Sequence, residues 1–72
     1  MDGVIDFLYI IRDNKSKILE LKKNIHDRYC NLCKNNAISK EEVEKSLIDV
    51  YEANISLALT EIELIKEQKT II

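Results

Sequence analysis

The sequence predicts an all-α fold: a two-helix antiparallel hairpin, coiled-coil-like, completed by association with another chain. Three observations predict it. Pro is absent and Gly occurs once, at Gly3, so the many turns of a β fold have no residues to make them. Two long segments carry apolar residues at helical spacing. A single break, Asn35-Asn36-Ala37-Ile38, separates them. The 72 residues form one domain, 1–72, with a helix over 2–34, a turn over 35–38 and a helix over 39–69.

The first helix is read from every seventh residue starting at Val4: Val4, Ile11, Ile18, Ile25 and Leu32, all aliphatic. Phe7, Leu8 and Leu21 widen this stripe, and Asn14 interrupts it. Asp2 and Asp6 at the start and Lys34 at the end suit the helix dipole. At the break, Asn tolerates the left-handed conformation that ends helices where no Gly is present. Ser39 then opens the second helix. Ser39 and Glu42 match a capping box, and Ile38 with Val43 a hydrophobic staple. The second helix has its stripe at Val43, Val50, Leu57 and Leu64, supported by Leu47. A loop this short returns the chain antiparallel. In the expected register, Leu32 faces Val43, Ile25 faces Val50, Ile18 faces Leu57 and Ile11 faces Leu64.

A hairpin needs one apolar stripe per helix, and this sequence has more. Helix two carries a second set at Tyr51, Ile55, Ala58, Ile62 and Ile65, more than a quarter turn from Leu57, widened by Leu59. Helix one has a thinner set: Ile5, Tyr9, Leu19, His26, Cys30 and Cys33. Contiguous apolar surface that a small chain cannot bury marks a binding face or an aggregation hazard. Another protein chain is therefore expected, with Ile5, Tyr9, Tyr51, Ile55, Leu59, Ile62 and Ile65 as the partner-binding residues.

Other function classes find little support. A formal net charge of −2 is too small, and of the wrong sign, for a protein that binds nucleic acid by neutralising phosphates. The lysines Lys15, Lys17, Lys22 and Lys23 are interrupted by Glu20 and Asp27 and read better as a solvated helix face. Asn14 and Asn54 either set register as buried polar residues do in coiled coils or are exposed. No apolar run reaches the ~20 residues of a membrane helix, and the acidic N-terminus lacks a secretory leader's basic start. The expected location is the reducing cytoplasm, without membrane insertion.

Chemistry-bearing residues are few. Cys30-Asn31-Leu32-Cys33 is a C-x-x-C, but it falls at the negative end of a helix, where thiol pKa rises, and no strand precedes it. His26, Cys30 and Cys33 at i, i+4 and i+7 share a face and could hold zinc with a fourth ligand from elsewhere. The chain has no other Cys or His, so the favoured reading is two small half-buried hydrophobes and a surface or interface histidine. The paired carboxylates Glu41/Glu42/Glu44 and Glu61/Glu63/Glu67 are a helix start and a solvated face, because a two-helix hairpin has no pocket to shift their pKa. No catalytic triad or phosphate-binding loop occurs. The expectation is no enzyme, no cofactor and no metal.

Helix two, reading Tyr51-Glu52-Ala53-Asn54-Ile55-Ser56-Leu57-Ala58-Leu59-Thr60-Glu61-Ile62-Glu63-Leu64-Ile65, resembles the apolar, alanine-containing second helix of the small co-chaperones of type III secretion needle subunits. Those are helical hairpins of about this length. The resemblance covers mainly residues 43–66 and rests on pattern; the C-x-x-C and His26 are not features of that family. It implies a co-chaperone or adaptor that binds a larger helical-repeat chaperone and helps keep a needle subunit unpolymerised in the bacterial cytoplasm. The alternative is a self-associating helical bundle with a structural or regulatory role in phage, plasmid or virus.

Overall fold

The computed structural model describes residues 2–70; Met1, Ile71 and Ile72 at the edges of the expected 1–72 domain lie outside them. Two helices make up the fold, α1 over Asp2–Lys34 and α2 over Lys40–Thr70, packed as a hairpin. The molecule is a rod of 55 × 14 × 10 Å with a radius of gyration of 16.5 Å. A compact domain of this length would have about 11 Å. Its accessible surface is 5739 Å², against roughly 4,600 Å² for a compact monomer of the same mass.

The connection is built as expected, with one refinement. Asn36 has φ 59°, the left-handed position predicted for an Asn of the break. The Asn36 N–H donates to the Cys33 carbonyl at 3.0 Å and the Ala37 N–H to the Leu32 carbonyl at 2.8 Å. These two bonds are the Schellman pattern that satisfies the last carbonyls of α1. At the start of α2, the Glu42 N–H donates to Ser39 Oγ at 3.3 Å, which is half of the expected capping box. The reverse bond from the Glu42 side chain does not form among the described residues. Ile38 and Val43 are both half-buried where the staple places them. Ser39 itself stays outside the helix as its cap, so α2 begins at Lys40 and not at 39.

α2 presents the predicted stripe to α1: Val50 and Leu64 are buried, and Val43, Leu47 and Leu57 half-buried. α1 does not present the stripe expected of it. Val4, Ile11, Ile18, Ile25 and Leu32 are all exposed. The residues turned toward α2 are Ile5, Leu8, Lys15, Leu19, His26, Cys30 and Cys33, each buried or half-buried. The helix is rotated by one residue, about 100°, from the predicted facing. The axial register lies within a turn of the expected one, since His26 meets Ser46 and Lys15 meets Ser56 and Thr60.

The rotation follows from what α2 offers. Ser46, Ala53 and Thr60 are buried along with Val50 and Leu64, and Ser56 is half-buried. The Ser46 and Thr60 hydroxyls donate within α2, to the Val43 carbonyl at 2.6 Å and the Ser56 carbonyl at 3.2 Å, which leaves their oxygens able to accept from α1. Lys15 Nζ donates to Thr60 Oγ1 at 2.8 Å and to the Ser56 carbonyl at 3.3 Å, and the His26 ring bonds Ser46 Oγ at 2.8 Å. Among the described residues the buried hydrophobic core is only Leu19, Val50, Ala53 and Leu64.

Candidate functional site: two exposed apolar flanks

The aliphatic stripe of α1 that the rotation excludes from the core is a continuous exposed band. Val4, Phe7, Ile11, Ile18, Ile25 and Leu32 retain 36–67% of their surface, and all lie within a narrow arc at 100° per residue. Ile10 and Leu21 broaden it toward the back of the helix, at 56% and 62% exposed.

The second stripe of α2 is exposed as well. Tyr51, Ile55, Leu59, Ile62 and Ile65 range from 46% to 60% exposed, and Ala58 between them is also open. Of the predicted partner-binding residues, these five are surface residues. Ile5 and Tyr9 are half-buried instead and face α2. Tyr9 is held there: Gln68 Nε2 donates to its hydroxyl at 2.7 Å, and the Arg12 guanidinium lies 4.9 Å over its ring.

The two flanks lie on opposite sides of the hairpin. Ile25 and Tyr29 line one groove between the helices, with Glu42, Lys45 and Asp49 across from them. Ile65 lines the other groove, with Tyr9, Arg12 and Gln68. Each apolar band therefore has a polar row of the other helix beside it. Asp49 reaches Lys22 across the first groove at 3.9 Å, an exposed pair worth at most about 1 kcal/mol. Sequence reasoning found the α2 flank and mistook the α1 flank for core.

The lysine row is divided in the same way. Lys17 and Lys23 are solvated, as expected of all four, but Lys15 turns inward and Lys22 is half-buried. Asn14 and Asn54 are exposed, which resolves the alternative left open for them.

Near the loop, His26 Nε2 lies 3.5 Å from Cys30 Sγ while Nδ1 faces Ser46. Both ring nitrogens are thus engaged. No group of three or more His, Cys, Asp or Glu side chains is placed to hold a metal ion among the described residues. Both cysteines are half-buried free thiols. Neither helix is long and apolar enough to cross a membrane among the described residues. Compared with known proteins, the chain matches no family model, no curated protein and no solved structure.

Proposed function

We propose that this hairpin is a protein-binding module, a small adaptor or co-chaperone that completes its core on a different, helical protein chain. The observation that carries the reading is the imbalance of apolar surface. Among the described residues, four hydrophobic side chains are buried between the helices, while two bands of Ile, Leu, Val and aromatic residues face solvent. Hydrophobic burial is the main favourable term in folding and association, and here most of the surface able to supply it points outward. The opposite placement of the bands favours a partner that encloses the hairpin. A two-fold dimer formed through one band leaves the other bare, whereas a concave helical-repeat surface can cover both. That is the kind of partner the resemblance to needle-subunit co-chaperones implies, together with a cytoplasmic location.

The test is the absolute mass of the purified chain by light scattering after gel filtration, with helicity read on the same peak. The expected result is a chain that aggregates or is poorly helical alone. The double variant Ile55→Asp/Ile62→Asp should reduce that aggregation without reducing helicity, because neither side chain belongs to the hairpin's core. A discrete, fully helical dimer or tetramer of the unmodified chain would overturn the heterotypic reading in favour of a self-contained bundle. Loss of helicity in the variant would show those residues to be core.

A further inference from the structure

We propose that Cys30 is a reactive thiol, activated by His26 and paired with Cys33, that takes small oxidants of the hydroperoxide class. The inference is independent of the binding reading above. It rests on a chain of hydrogen bonds whose direction is fixed at one end. The Val43 carbonyl can only accept, so the Ser46 hydroxyl, 2.6 Å away, donates to it. With its hydrogen used there, Ser46 Oγ must accept from His26 Nδ1 at 2.8 Å. In a neutral imidazole the nitrogen without hydrogen is then Nε2. That lone pair faces Cys30 Sγ at 3.5 Å and accepts from its S–H. Transfer of the proton leaves an imidazolium that donates to Ser46 and to the thiolate, so every polar atom of the relay keeps a partner in both states. This is the nucleophile, base and orienting group in sequence.

The thiol also has access. Cys30 and Cys33 line an open cavity of about 470 Å³ with Lys34, Lys40, Val43 and Glu44. The C-terminal end of α1 gives a thiolate no support, so activation depends on His26. Cys30 and Cys33, three residues apart on a helix, have Cα atoms about 5 Å apart, within disulfide range, and Cβ atoms about 5–6 Å apart, so the S–S bond requires the last turn of α1 to move them about 1–2 Å closer. The Cys30 thiolate attacks one peroxide oxygen: an S–O bond forms, the O–O bond breaks, and the departing hydroxide (alkoxide) takes the proton from His26. The Cys33 thiol then attacks the Cys30 sulfur. An S–S bond forms, the S–O bond breaks, and hydroxide leaves with the Cys33 proton as water. Two thiols give up two electrons, and hydrogen peroxide becomes two waters.

The experiment is pulse alkylation of the full chain with iodoacetamide, read at each cysteine by peptide mass spectrometry, in buffer and in urea. Cys30 is expected to react about tenfold faster than Cys33 in buffer, because the thiolate and not the thiol is the nucleophile, and at the same rate in urea. His26→Gln, which keeps a hydrogen-bonding group but cannot take a proton, should bring Cys30 down to the rate of Cys33. Hydrogen peroxide should lower the mass by two hydrogens and block alkylation of both. Equal rates in buffer would overturn the proposal without recourse to any variant. So would an unchanged Cys30 rate in a His26→Gln chain of normal helicity, or peroxide treatment that leaves both thiols free.

Discussion

Asn36 shows how much one residue decides here. Its φ of 59° costs an ordinary L-residue about 1–2 kcal/mol, and Asn reduces that cost through its short polar side chain. Asn36→Ala should therefore lower stability by about 1 kcal/mol, and Asn36→Gly should leave it within about 0.5 kcal/mol, the entropy of Gly offsetting its relief of strain. Thermal melts of the two variants check the sign. Equal melting temperatures would mean that the left-handed turn is not what stops α1. This position was legible in the sequence because only Asn among the four break residues suits it. Ser39 was legible for the same kind of reason, as its hydroxyl supplies the acceptor that the Glu42 amide lacks. Lys15 was not legible. A lysine among other lysines reads as solvent-exposed, and nothing in its own neighbourhood announces that Thr60, 45 residues away, will accept its hydrogen bond.

At the scale of the element, both helices could be located from periodicity and caps alone, but the facing of α1 could not. α1 carries two stripes, and the greasier one, Ile18 and Ile25, is exposed while the mixed one, Leu19 and His26, is inside. Periodicity ranks stripes by hydrophobicity. It does not see that Ser46 and Thr60 lie on the inner face of α2 with hydroxyl oxygens able to accept. Reading those two as acceptors for Lys15 and His26 is the signal that could have set the rotation. The two facings make opposite predictions. With Leu19 buried at 9% exposure and Ile18 open at 46%, Leu19→Ala should cost about 2–3 kcal/mol and Ile18→Ala under about 1 kcal/mol. Chemical denaturation of the pair, each with helicity confirmed, measures both. A larger loss at Ile18 would restore the facing first expected from the sequence.

For the whole molecule, the separation of the two bands has a consequence that neither band has alone. A chain with one adhesive side forms a closed dimer. A chain with adhesive sides facing apart can add copies at both without closing, which is the route to open-ended assembly. The unmodified 8.4 kDa chain, deprived of a partner, should therefore give a broad distribution of masses and not one species. Charges placed on a single flank should stop the growth at a finite size. Ile18→Asp/Ile25→Asp should leave contact only through α2, and Ile55→Asp/Ile62→Asp only through α1, each giving a species near twice the chain mass. The four substitutions together should give a monomer, since the flanks share no residues and their effects should add. Light scattering on the four proteins at matched concentration separates the cases. If either pair of aspartates alone yields a monomer, only one band is adhesive, and the hairpin needs a partner on one side and not an enclosing one.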